Sequence, residues 1–318
     1  MERIASLGTG IAEVVVPTYE AYSALLQRPE TKAAIKSVKR ETFSYGPHKR
    51  HKLDLYSPPG IADHVSQRPR PVLIFTYGGA FANGDRILDG IDGGLVYANV
   101  GAFFASEANF DTIVLDYRLL KHGAKYPSGG EDFGLGLQWV QDRYQHGGRR
   151  EIYVIANSAG AVHLSTWLFS PRFAKERLQL LSASSEVRLT KVVFLGCPFR
   201  LDYHGGMKPV LEVYYGTEED TKRAEPTQLM LTGIREKDSI DMTVMPGILT
   251  AVAELDPSFI VEPGQEFSKL WRECGGKGDH LVLRGHNHIS PPLSLGTGSR
   301  EEEHWGHQVV GWLRGEAL

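Results

Sequence analysis

Ser158 stands in "VIANSAGAVH" (154–163), a lone hydroxyl among Ala156, Ala159, Gly160 and Ala161, directly after an apolar run. Small neighbours are what a sharp strand-to-helix turn needs, because the backbone there is strained and the helix packs close on the sheet. Ala156–Gly160 nearly matches G-x-S-x-G, with alanine at the first glycine. The same serine would also serve as an ordinary helix N-cap. Two histidines, His286 and His288, sit in "GHNHISP", and two acids, Glu254 and Asp256, in "ELDPS". A serine hydroxyl becomes a nucleophile when a histidine takes its proton and an acid orients the histidine. "FTYGGAFANGDR" (75–86) supplies consecutive glycines whose N–H groups can face a ligand. Free N–H groups beside a nucleophile hold the oxyanion of a tetrahedral intermediate, at about 2.7–4 kcal/mol per donor. A glycine turn and an Asp-Pro turn are the plainer readings of the last two segments. The histidine pair could instead begin a metal site, with Asp279 or His280, but zinc wants three or four ligands and no further Cys/His cluster supplies them.

These groups need a scaffold, and the chain alternates in a way that provides one. "PVLIFTY" (71–77), "DTIVLDY" (111–117), "EIYVIAN" (151–157), "TKVVFLGCP" (190–198), "GILTAVAEL" (247–255) and "HLVLR" (280–284) read as strands, several of them continuously apolar as in a sheet buried on both faces. Helical patterns fall between them, at 129–144 and 159–169. Residues 18–38 read as helix broken near Pro29, and 40–60 as strand, turn and strand ending at Pro58-Pro59. A polar linker follows at 61–70. Ser299 with Glu302 makes a capping-box pattern for a last helix that carries Trp305, Val309, Trp312 and Leu313 on one face. Alternation of this kind predicts an α/β fold with a mostly parallel sheet flanked by helices. The rhythm fails between Phe199 and Met245, which reads as a small cap inserted above the sheet at about 200–245. The expected organisation is residues 1–40 as an N-terminal helical segment belonging to the cap and 41–318 as one domain.

The 318 residues are 42% hydrophobic and 23% charged, ordinary for a globular chain with a sizeable core. Thirty-five basic against 38 acidic residues give a net charge of −3, which argues against a nucleic-acid footprint. Two cysteines make no disulfide framework, and Cys197 reads as core. The N-terminus has no signal-like apolar core and no run approaches the ~18 apolar residues of a membrane span. A cytoplasmic protein is expected, with a small-molecule substrate, a homodimer as a possible assembly, and neither nucleic acid nor membrane as partner.

Taken together, the motifs resemble the α/β-hydrolase fold, in the branch of hormone-sensitive-lipase-like carboxylesterases and kynurenine formamidase-like enzymes. "YGGAF" stands where that branch has H-G-G-G/A-x, with Tyr77 for histidine; "DYRLLKHGAKYPSGGEDFGLGLQWV" looks like its Y-R-L-x-P-E stretch, and "VYYGTEEDTKRAEP" like its cap segment. The resemblance covers about residues 40–315 and implies the chain order Ser, acid, His. It places the acid at Asp256, with Glu254 as fallback, and through G-x-x-H the base at His288 rather than His286. The oxyanion hole it implies is the N–H of Ala159 with those of Gly78, Gly79 and Ala80. Asp116-Tyr117-Arg118 resembles the brace under that loop. Tyr77, Phe81 and Asn157 are candidate substrate contacts. The implied activity is hydrolysis of an ester, lactone or amide through an acyl-enzyme, with no cofactor. Lyase or acyl-transfer use of the pocket, or a receptor on the same scaffold, are its alternatives, since a fold does not dictate chemistry.

Overall fold

Eight strands form one sheet in the order β1-β2-β4-β3-β5-β6-β7-β8 in a computed structural model that describes residues 2–60, 69–236 and 240–318. Along the chain, α1 (Glu2–Ala5), α2 (Ile11–Leu26) and α3 (Pro29–Ser37) precede β1 (Lys39–Ser44) and β2 (Lys52–Ser57). Then come β3 (Val72–Thr76), α4 (Ala98–Ala108), β4 (Asp111–Leu115), α5 (Ser128–Tyr144), β5 (Arg150–Asn157), α6 (Ala159–Phe169), α7 (Ala174–Leu181) and β6 (Val187–Leu195). Three short helices follow, α8 (Lys208–Tyr215), α9 (Glu218–Ala224) and α10 (Pro226–Arg235). The chain ends with β7 (Gly247–Leu255), α11 (Ser258–Glu273), β8 (Gly278–Asn287), α12 (Ser290–Ser294) and α13 (His304–Arg314). β1 and β2 pair antiparallel with each other, and β2 with β4; the remaining pairs are parallel.

The apolar runs explain this placement. All five side chains of β3 and of β4 are buried, so each strand feeds both faces of the sheet. On one face Ile74, Val154, Ala156, Val192 and Phe194 pack under Trp167 and Phe169 of α6 and Phe267 and Trp271 of α11. On the other, Phe75, Ile155, Val193 and Leu249 pack under Phe103 and Phe104 of α4 and Trp305, Val309 and Trp312 of α13. A fully buried Val, Leu, Ile or Phe contributes roughly 1.5–3 kcal/mol, so the two layers dominate folding. Among the described residues no helix is long and apolar enough to cross a membrane.

Three expectations change. α1–α3 and α8–α10 join different cores: Tyr22, Leu26 and Ile35 belong to the second, while Leu211, Tyr214 and Met230 belong to the first. Tertiary bonds hold the N-terminal helices there, from the Tyr22 hydroxyl to Glu302 at 2.5 Å and from Asn287 Nδ2 to Thr18 Oγ1 at 2.8 Å. Glu302 is thus drawn to Tyr22, and α13 starts five residues after Ser299 with no side-chain cap. The last strand runs past Arg284 to Asn287, through a register shift opposite Ala253–Leu255. Most of the 61–70 linker lies outside the described residues.

Candidate active site

β5 runs directly into α6 through one residue, Ser158, whose φ of 50° and ψ of −119° are sterically costly for any side chain. Such a conformation costs about 1–3 kcal/mol and persists only where its surroundings enforce it. Here the Ser158 N–H donates to the Leu195 carbonyl at 2.9 Å, tying the turn to the end of β6. Close packing explains the glycines on both sides. A Cβ on Gly160 would lie 2.5 Å from the Tyr77 carbonyl oxygen, and one on Gly78 would lie 2.8 Å from Ser158 Cβ. Ala156 fits the first motif position because it is enclosed in the first core, in register with Thr76 and Phe194.

Three side chains from three loops converge at this turn. Ser158 Oγ lies 3.0 Å from His288 Nε2, and His288 Nδ1 lies 2.6 Å from Asp256 Oδ1. The second carboxylate oxygen accepts the Ala253 N–H at 2.7 Å, fixing the acid to its own loop. Asp256 and His288 are both buried. With Nδ1 donating to the carboxylate, Nε2 is left to accept the serine proton. Gly196, at φ +56°, lets the His288 ring stand where a Cβ would be 3.0 Å from Cε1.

The neighbouring acid and histidine are engaged elsewhere. Glu254 accepts from the Gly285 N–H at 2.8 Å and from Arg284 at 2.9 Å, and those donors hold its pKa below the usual value. His286 is hydrogen-bonded with Ser290 Oγ at 2.9 Å, and burial pushes its pKa down to about 4. Among the described residues no three metal-ligating side chains converge.

Above the serine lies the glycine loop. Gly79 (φ +131°), Ala80 (+52°) and Phe81 (+63°) are left-handed in succession. Among the described residues, the N–H groups of Gly78, Gly79, Ala80 and Ala159 have no acceptor, while the Gly79 carbonyl accepts from Ala82 at 3.1 Å and Asn83 at 2.9 Å. Tyr117 Oη donates to the carbonyls of Tyr77 (3.0 Å) and Gly78 (3.3 Å), so the brace segment touches the loop itself.

Each of the three candidate substrate contacts has a structural partner. Tyr77 is fully buried in the second core, its ring stacked on Tyr97 and Tyr117 and its hydroxyl held between Arg50 and Asp116. It therefore does not present a hydroxyl to substrate, because the ring lies under the loop. Burial pushes the Asp116 pKa up to about 7, against the pull of Arg50 and Tyr77. Asn157 donates to the Leu195 carbonyl at 3.3 Å, beside Gly78. Phe81 is buried and stacks on Tyr214 of α8 at 4.7 Å, with His163 edge-on at 5.3 Å. Arg50 and His163 thus stand close to the site although no local motif marks them, and Tyr214 comes from the stretch that resembles the cap segment. A groove of about 720 Å³ between α9, α10 and α11 opens near the acid loop, lined by Arg200, Glu225 and Phe259 among others, but no triad residue lines it.

No protein-family profile matches the chain. A stretch of 115 residues, 34% of the chain, is 31% identical to acetylcholinesterase of Electrophorus electricus, and spans 18% of that protein. Solved structures match over nearly the whole length. A hyperthermophilic esterase of the archaeon Pyrobaculum calidifontis has a TM-score of 0.63 at 19% identity, covering 96% of this chain and 93% of its own. Esterase B of Lactobacillus rhamnosis gives 0.65 at 15%, covering 93% and 95%. A thermostable carboxylesterase from a metagenomic library gives 0.61 at 17%, covering 96% and 95%. The chain has the α/β-hydrolase fold, as its motif order implies.

Proposed function

We propose that this chain is a serine hydrolase that cleaves carboxylic esters of small organic molecules through an acyl-enzyme. The observation that carries the reading is the continuous bond from Ser158 Oγ to His288 Nε2 and from His288 Nδ1 to Asp256, built on a strained elbow. The serine proton passes to Nε2 as Oγ attacks the ester carbonyl. Asp256 stabilises the imidazolium without taking its proton. The new oxyanion is held by the free N–H groups of Gly79 and Ala80, with Gly78 alongside, and of Ala159. His288 then protonates the leaving alcohol, and water repeats the sequence to release the acid.

Structural neighbours that are esterases, and the short stretch similar to acetylcholinesterase, support esters ahead of the lactones and amides the same machinery would accept. The Phe81–Tyr214 stack supports α8–α10 as a cap packed against the glycine loop. A receptor on this scaffold would not need the three triad side chains in bonding register. The test is intact-mass spectrometry after a fluorophosphonate probe: one adduct on the wild type and none on Ser158→Ala. A folded wild type without adduct overturns the reading. A series of p-nitrophenyl esters beside N-formylkynurenine then ranks ester against amide.

A further inference from the structure

We infer that Arg50, on the turn between β1 and β2, is a positioning residue that clamps both ends of the oxyanion loop; its catalytic consequence rests on the hydrolase reading. Its side chain is 11% exposed, and the guanidinium reaches five residues. Nη2 donates to Tyr77 Oη at 2.7 Å, to the Gly84 carbonyl at 3.2 Å and to the Asp116 carboxylate; Nη1 donates to Asp85 at 2.6 Å; Nε donates to the Tyr117 carbonyl at 3.2 Å. Tyr77 enters the loop, and Gly84 and Asp85 leave it. The three left-handed residues lie between these anchors.

The loop cannot hold that shape alone. Among the described residues its own backbone contributes only the two bonds to the Gly79 carbonyl, plus one from Leu120 N–H to the Phe81 carbonyl. Consecutive left-handed residues relax unless the ends are fixed. Arg50 fixes them across the interior, and Tyr117, which it also holds, fixes the Tyr77 and Gly78 carbonyls. Neighbouring Arg86 shares the carboxylates of Asp85 and Asp116 but is directed mainly at Asp54, at 3.2 Å. A planar fork serves several acceptors at fixed angles; a lysine ammonium replaces the charge but not the fork. Arg50 touches neither Ser158 nor His288, so it acts through the direction of the loop N–H groups.

The test compares wild type, Arg50→Ala and Arg50→Lys by hydrogen exchange of peptides covering residues 77–86 and by ester kinetics. Exchange in this segment should rise in Arg50→Ala, and less in Arg50→Lys, while peptides of β5 and α6 stay protected. Misaimed donors weaken the transition state more than the ground state, so kcat for a p-nitrophenyl ester should fall about 100-fold with KM within about threefold. Arg50→Lys should recover at most about a tenth of wild-type kcat. Millimolar guanidinium should raise kcat of Arg50→Ala and leave the wild type unchanged. If Arg50→Ala does not fold, Arg50→Lys carries the same readouts with smaller changes. Unchanged exchange across 77–86, or an unchanged kcat with only a lower Tm, overturns the clamp. Loosened exchange in a protein whose wild type turns over no ester upholds the clamp and refutes the hydrolase reading.

Discussion

Two histidines two residues apart at the end of β8 should behave oppositely on substitution. His288 bridges Ser158 at 3.0 Å and Asp256 at 2.6 Å, so His288→Ala removes the base and strands the acid. Loss of one member disables a triad as a unit, and kcat should fall by about 10⁴–10⁶. His286 is bonded to Ser290 Oγ, which keeps the Asn287 N–H and carbonyl as partners. His286→Ala therefore loses about 1–3 kcal/mol, with a little more for the cavity. That lowers Tm by a few degrees and leaves kcat within about threefold, since no atom of the catalytic chain moves. Steady-state kinetics of both variants on one p-nitrophenyl ester, with folding checked by circular dichroism, separates the two. An active His288→Ala beside a collapsed His286→Ala would refute the assignment, and with it the use of the Ser158–His288–Asp256 geometry as a guide to chemistry.

The acids should divide in the same way: Asp256→Asn loses about 10⁴ in kcat through the wrong imidazole tautomer, whereas Glu254→Gln, whose partners are Arg284 and Gly285, stays within about threefold in the same assay. Gly160→Ala places a Cβ 2.5 Å from the Tyr77 carbonyl and 2.8 Å from that of Thr76, neither of which can swing aside, so thermal melting and fluorophosphonate titration should show about 1–3 kcal/mol of lost stability and fewer reactive sites. Burial holds His163 and His286 at about 4, below the 6.5 of an exposed imidazole. The unfolded chain then binds more protons between those values, so stability is full above about pH 6.5 and falls toward pH 4 by up to roughly 3 kcal/mol per histidine. Urea melts at several pH values measure the slope, which His286→Gln should flatten; an equal slope in that variant would refute the linkage.

The legible and illegible parts of this site differ in the range of the forces that build them. Ser158 could be found because an elbow is a local object: a buried strand, one strained residue and a close-packed helix all constrain the same ten positions. The G-x-x-H spacing of the resembling family pointed to His288, although the strand does not stop at Gly285 as the apolar pattern implies. Gly285 is left-handed at φ +71° and its N–H is taken by Glu254, so the ladder continues to Asn287 through an irregularity. That irregularity lies between Leu283 and Asn287, and His286 ends on Ser290 while His288 ends on Asp256. Strand alternation alone would have put both on one face.

Arg50 and Tyr77 show the other limit. In "GPHKRHK" an arginine reads as a solvated turn residue, since charged side chains are rarely buried without partners and nothing nearby offers one. Its partners, Tyr77, Asp85 and Asp116, are 27 to 66 positions away. They meet it only because β2 and β3 both flank β4 in the sheet, which brings the β1–β2 turn beside the ends of β3 and β4. The same strand order settles what a tyrosine does where the resembling branch has histidine. With Asp116 and Arg50 delivered beneath the loop, a phenol long enough to reach both becomes part of their ion pair rather than a group for substrate. Ser299 and Glu302 err in the opposite sense. The spacing of a capping box is present, but the Tyr22 hydroxyl, 280 positions away in sequence, binds the glutamate. A local pattern thus specifies a contact only where no partner from elsewhere in the fold competes for the same atoms, and around Ser158 the close-packed glycines leave no room for such a competitor.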